Sequence, residues 1–202
     1  MKILLDACGP RRLRDRLSGH EVRTAPDMGW GDLNNGALLD AMAGQFDALV
    51  VDSAGCGAHL KDFYPALKNR VKDLSEWLAE AGLPEPKRDV KMRVTYQDAC
   101  HLAHAQRIKK QPRDLIRAIP GVDWVEMRHA DICCGAAGLY STLEPDMSNR
   151  ILQEKLDDLA ATRADVVAVA NPGCQMQLEA GLRKRGSAMK VLHVSELLAR
   201  AY

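Results

Sequence analysis

Two cysteines stand side by side in Asp131–Tyr140, DICCGAAGLY, and glycines follow at once. In an extended chain neighbouring side chains point to opposite faces. A tight glycine-rich turn instead lets both sulfurs face one centre. Cys100 in QDACH, Cys174 in ANPGC and Cys56 in VVDSAGC also sit beside small or turn-forming residues. Thiolates gathered at one edge of a fold suit a soft metal centre, an iron–sulfur cluster or zinc. The plain alternative for each is a small buried hydrophobe. A bridge between Cys133 and Cys134 would be strained. Structural zinc ligands usually pair two to four residues apart, and this chain has no C-x-x-C, so iron–sulfur is the stronger expectation.

Other side chains accompany the thiols. His101 and His104 follow Cys100 and could tune a cluster or replace a thiolate, or simply face solvent at a helix start. His129 and His193 read as structural. Arg107 and Arg113 fit either an anionic partner surface or a solvated helix face. Gly135 and Gly138 do not make a nucleotide loop, since no GxGxxG follows a strand.

The elements that must position these residues alternate. KILLD, HEVRTA and FDALVVD read as strands, RRLRDRL as a helix start and NNGALLDAMAG as a helix ending at glycine. From Leu60 to Gly82 runs a polar amphipathic stretch broken at Pro65, and LPEPKRDVK then reads as a linker. Beyond it come strands RVTYQD, DWVEM, DVVAVA and KVLHV, with helices around RDLIRAI, PDMSNRILQEKLDDLAATR, QMQLEAGLRKRG and SELLARAY. This alternation predicts an α/β fold of parallel βαβ units with helices on both faces. The cysteines fall in loops after strand ends, where such folds keep their sites. No strong tandem repeat is evident. The expected segments are 1–52, an N-terminal α/β part; 53–90, a short cysteine-bearing stretch and linker; and 91–202, a cysteine-rich domain.

The chain has 202 residues, six cysteines and a formal net charge of +1. That balance argues against binding to nucleic acid or an anionic membrane surface. No run approaches the roughly 20 apolar residues of a membrane span, and Met1–Leu17 lacks a secretory pattern. The expected compartment is the cytoplasm, peripheral to the inner membrane only through partners, where cysteines stay reduced.

The segments YQDACHLAHAQRIKKQPRDLIRAIPG, ICCGAAGLYSTLEPDMSNRILQEKLDDL, ANPGCQMQLEAGLRKRG and VLHVSELLARAY resemble the second cysteine-rich (CCG) repeat of the glycolate oxidase iron–sulfur subunit. That family is related to lactate-utilisation iron–sulfur proteins and to heterodisulfide reductase. VVDSAGCGAHLKDF resembles the end of the first repeat, so the likeness runs from about Phe46 to Tyr202. It implies an electron-transfer module of a 2-hydroxy-acid oxidase complex, with Cys100, Cys133, Cys134, Cys174 and Cys56 as ligands of a [4Fe-4S]-type cluster. FAD would sit only on a flavin-containing partner subunit, and the electron acceptor is left open. Relatives in the heterodisulfide reductase group carry a C-x-x-C where this chain has Cys174-Gln175-Met176-Gln177, so one thiolate of that pattern is missing. A ferredoxin-like segment and most of the first repeat are also missing, which reads as a truncated or fused form. The alternative is a cluster-free or zinc-binding scaffold or interaction domain.

Residues 1–50 resemble the start of a small PIN-like toxin family, whose nucleases gather carboxylates around Mg²⁺ or Mn²⁺. Asp6 matches the first acid and Asp52 lies near the second. The remaining acids are missing, so a nuclease is the weakest expectation.

Overall fold

A computed structural model describes residues 1–5, 14–15, 17, 19–33, 35–42 and 44–202. The fold is α/β, built as two compact units, Met1–Trp77 and Leu78–Tyr202. Each contains a four-stranded parallel sheet flanked by helices. The RRLRDRL helix start, Asp6 and Cys8 fall largely or wholly outside the described residues.

In the first unit β1 (Lys2–Leu5), β2 (Glu21–Thr24), β3 (Ala48–Val51) and β4 (Val71–Asp73) lie in the order β2-β1-β3-β4. Ala-Leu-Val-Val of β3 is buried throughout, as a central parallel strand covered on both faces must be. Leu38, Leu39 and Met42 of α1 (Asn35–Met42) pack with Leu4, Phe46, Leu49 and Val51. The Leu60–Gly82 stretch differs from the expected single amphipathic segment. α2 (Ala54–Phe63) ends there, β4 intervenes, and α3 (Leu74–Ala81) follows directly. Val71 and Asp73 are buried around the half-buried Lys72, and three residues are too few for the alternation to show in sequence.

The second unit has β5 (Met92–Tyr96), β6 (Val122–Trp124), β7 (Val166–Val169) and β8 (Lys190–His193) in the order β6-β5-β7-β8. Its helices are α4 (Lys110–Arg117), α5 (Tyr140–Leu143), α6 (Pro145–Thr162), α7 (Pro172–Lys184) and α8 (Val194–Ala201). α6 and α7 meet at Gly181, where an added Cβ would lie 2.8 Å from a Leu156 methyl.

The two strand orders are the same, and the sequence carries the correspondence. Asp47 N–H donates to Lys2 O while Lys2 N–H donates to the Asp47 carboxylate at 2.7 Å. Asp165 and Arg93 repeat both bonds, the second at 2.8 Å. β3 and α2 read DALVVDSAGC where β7 and α7 read DVVAVANPGC, which matches Cys56 with Cys174. Ser53 and Asn171 precede these helices with φ of −154° and −152°. VKDLSEWLAEA from Val71 likewise matches VLHVSELLARA from Val191. A duplicated unit is therefore present where no strong tandem repeat was evident in the residues, although the resemblance placed the end of a first repeat at VVDSAGCGAHLKDF. The first copy has Met28-Gly29-Trp30-Gly31 in the connection that holds the cysteine pair in the second.

Candidate thiol site

In the second unit three connections leave the C-terminal ends of β5, β6 and β7. The strand order reverses between β5 and β7, and the crevice outside such a switch point is where parallel sheets place ligands. Cys100 follows β5 on a loop held at several points. Gln97 N–H donates to Ala168 O and Asp98 N–H to Ala130 O, both at 3.0 Å. The buried Asp98 carboxylate takes two bonds from Arg113 at 2.8 Å each. Arg113 also holds Glu126 at 2.8 Å and lies 5.1 Å over the Tyr96 ring. Its guanidinium is thus an internal anchor, not the anion-binding surface considered from sequence. After Cys100 the chain forms a π-helical turn, His101–Ala105, and Arg107 is left-handed at φ 58°. Such irregular turns concentrate at functional sites.

Cys133 and Cys134 lie on the connection after β6. Gly135, at φ 88°, allows the chain to reverse, and its N–H donates to Cys133 Sγ at 3.3 Å. Ser148 Oγ of α6 donates to Gly135 O at 2.8 Å, and Gln177 Nε2 of α7 donates to Ser148 Oγ at 3.1 Å. A Cβ at Gly135 would come within 2.5 Å of Ser148 O. Ala137 at φ 38° and Gly138 at φ 61° continue the turn. Below it Lys155, only 2 % exposed, donates through Nζ to His129 O at 2.5 Å and Ala130 O at 3.4 Å. Burial holds the Lys155 amine below its ordinary pKa. Cys174 is the third residue of α7, and Asn171 Nδ2 lies 3.8 Å from its sulfur.

Cys100, Cys133, Cys134 and Cys174 act on one another's titration. The neighbouring Cys100 and Cys134 thiols, with the Gly135 N–H, hold Cys133 far below the ordinary thiol range. Cys134 lowers Cys174, whereas Cys133 raises Cys100, and Cys133 and Cys174 together raise Cys134. The Lys155 charge lowers both Cys133 and Cys174.

This arrangement corrects the metal expectation. Among the described residues no group of three or more His, Cys, Asp or Glu side chains is disposed to hold a metal ion. Neither a [4Fe-4S] cluster nor zinc therefore finds a ligand group among the described residues. The iron–sulfur electron-transfer reading and its cofactor fall with that finding. Cys56 lies in the other unit, exposed in the first turn of α2. All five of these cysteines are free thiols.

The histidines take local roles. His101 Nδ1 lies 3.7 Å from Cys100 Sγ, and His104 Nε2 lies 3.1 Å from Asp131 O. His129 donates its backbone N–H to Asp158 at 2.8 Å. His193 precedes α8, with its N–H on Glu196 at 2.7 Å and Nδ1 3.0 Å from Ser195 Oγ. Asp52 is buried at the end of β3.

Sequence reasoning missed Lys155. Its signal was a lysine among Leu152, Leu156 and Leu159, on the buried stripe of α6. It also missed the apolar rim. Every exposed large apolar side chain of Leu78–Tyr202 lies on a segment that builds the thiol site: Ile132, Leu139, Leu143, Met147 and Met176. Leu139, Leu143 and Met176 are 75, 72 and 70 % exposed.

Residues 94–179 match the family described as CCG, cysteine-rich domain. The probable glycolate oxidase iron-sulfur subunit of Bacillus subtilis (strain 168) is 36 % identical over 174 residues, covering 77 % of this chain and 39 % of that protein. A fumarate reductase (CoM/CoB) subunit of Methanothermobacter marburgensis is 36 % identical over 160 residues, covering 78 % of this chain and 33 % of its own length. Lactate utilization protein A 2 of Bacillus cereus (strain 03BB102) is 29 % identical over 170 residues, covering 75 % and 69 %. The chain thus spans well under half of the first two relatives. No helix among the described residues is long and apolar enough to cross a membrane. With its cysteine loops and its parallel sheet, the second unit carries a CCG cysteine-rich domain, and the chain is related to the glycolate oxidase and lactate utilisation proteins.

Proposed function

We propose that this chain is a cluster-free interaction module of an oxidoreductase complex, docking a flavin-containing oxidase subunit on the rim of its thiol site. The observation that carries this reading is the placement of the exposed apolar side chains of the second unit. None lies elsewhere on that unit; four fall between Ile132 and Met147, on the connection bearing Cys133 and Cys134 and the helix starts that follow it, and Met176 lies two residues after Cys174. Apolar side chains gathered on one face of a soluble domain mark a surface that a partner covers. The segments bearing them are tied by the Gly135, Ser148 and Gln177 bonds, so the rim is held in place before binding, which limits the ordering cost of association. Two relatives named as subunits of glycolate oxidase and fumarate reductase support the class of partner. In this reading the partner holds the catalytic centre and the chain supplies the surface.

The test is binding of the purified, metal-analysed chain to a purified flavin subunit of a glycolate-oxidase-type complex, followed by sedimentation. A complex is expected, and Leu139→Asp with Leu143→Asp should weaken it by about tenfold or more. Absence of a complex, or one indifferent to the double substitution, contradicts the reading.

A further inference from the structure

We propose that a cavity at the C-terminal ends of β5 and β6 binds a small dicarboxylate, with Arg128 holding one carboxylate and Lys110 the other. The assignment goes beyond the docking role and needs no partner subunit.

The cavity measures about 460 Å³, within the range of small-molecule sites. Its cations come from two elements: Lys109, Lys110 and Arg113 from the start of α4, and Arg128 from the connection after β6. Three carboxylates line it too, and each is already matched. Asp98 takes two bonds from Arg113 at 2.8 Å each. Glu126 takes Arg113 at 2.8 Å and Arg117 at 3.5 Å, and Asp131 faces Lys109 at 3.4 Å. What is left over is positive. Arg128 makes no hydrogen bond or ion pair among the described residues. Lys110 pairs only with Asp114 of its own helix, and its side chain is 83 % exposed. Such a surface pair is worth little and gives way to a ligand.

The backbone of Arg128 is fixed before any ligand arrives. Lys155 Nζ donates to His129 O at 2.5 Å and lies 3.8 Å from Met127 Sδ, and His129 N–H donates to Asp158 at 2.8 Å. The residues on both sides of Arg128 are thus fastened to α6, so only its side chain is ordered on binding. A guanidinium grips a carboxylate through two parallel bonds, while an ammonium acts as a point charge. A ligand with one anionic group satisfies one of these cations and leaves the other without a partner. Two carboxylates joined by a short carbon chain satisfy both, and the buried Met127 and Ala130 of the lining suit the methylenes between them.

The experiment titrates the purified chain, at neutral pH and low salt, with malonate, succinate and glutarate, and in parallel with acetate and inorganic phosphate. Calorimetry gives the Kd, and NMR shifts locate the site. At least one dicarboxylate is expected to bind about tenfold or more tightly than acetate and phosphate, moving the Arg128 and Lys110 resonances. Arg128→Gln and Lys110→Gln should each weaken that binding by about tenfold. Arg150→Gln, at an exposed arginine of α6 outside the cavity, should leave it unchanged. The assignment is overturned if no dicarboxylate binds saturably, if acetate or phosphate binds as tightly, or if either cavity variant keeps the parent affinity. The comparison of anions on the unaltered chain decides alone, so a variant that fails to fold leaves the test intact. No flavin subunit takes part in the titration, so failure of this site and failure of the docking role are distinguishable.

Discussion

At the scale of single residues, the thiol site depends on backbone that few side chains tolerate. Gly135 combines φ 88° with an approach that would put a Cβ 2.5 Å from a backbone oxygen of α6. Neither atom is the free end of a flexible side chain, so relief requires moving the helix or the turn. Gly135→Ala is expected to destabilise the chain by about 2–4 kcal/mol in urea unfolding, from left-handed strain and overpacking together. An alanine variant within about 0.5 kcal/mol of the parent would show that the turn is not held as described. The glycines and cysteines of this turn were legible in the sequence because small residues after apolar strands are unusual enough to notice. The path of the turn was not legible. It is set by the left-handed φ of Gly135, Ala137 and Gly138 and by bonds from Ser148 and Gln177, residues far off in sequence. Spacing alone could suggest that thiols converge, but not whether they make a metal-holding group.

At the scale of elements, the junction of a last strand with its following helix appears twice with the same bonds. Asp73 N–H reaches Glu76 at 3.3 Å before α3, and His193 N–H reaches Glu196 at 2.7 Å before α8. Each returns a carboxylate to an otherwise unpaired helix-start donor. Ser75 N–H also donates to the Asp73 carboxylate at 2.8 Å, yet burial dominates and pushes that carboxyl from 3.8 up to about 6. The folded state therefore holds a proton that the unfolded chain has already lost between about pH 4 and 6. Stability from this group is full below about pH 4 and falls as pH rises through about 6, by roughly 3 kcal/mol in total. Asp73→Asn keeps an acceptor for Ser75 and removes the titration, so the fall across that window should vanish in denaturant titrations at several pH values. A fall of unchanged size in the variant would assign it to another group. The extent of the first copy, beyond the end of it that the resemblance marked, was not legible for a physical reason. Its record lies in strand registers, helix starts and single positions such as Asp47 and Asp165, while buried apolar residues exchange freely between the copies.

At the scale of the whole molecule, the α/β class was legible because four-residue apolar runs recur between longer helical patterns, as in Ala48–Val51 and Val166–Val169. The relationship to oxidoreductase subunits was legible from the same loops that carry the cysteines. The cofactor did not follow from that relationship, since no group of three or more His, Cys, Asp or Glu among the described residues is disposed to hold a metal. What remains on the surface is the apolar rim, and it directs the account toward association. The most direct measurement is iron, zinc and acid-labile sulfide per chain, after incubation of the reduced protein with ferrous iron and sulfide without oxygen, and then desalting. The expected result is a colourless protein that retains no metal and no sulfide in proportion to the chain. Iron and sulfide retained together in whole-number ratio, and lost in the Cys133→Ser, Cys134→Ser variant, would contradict it.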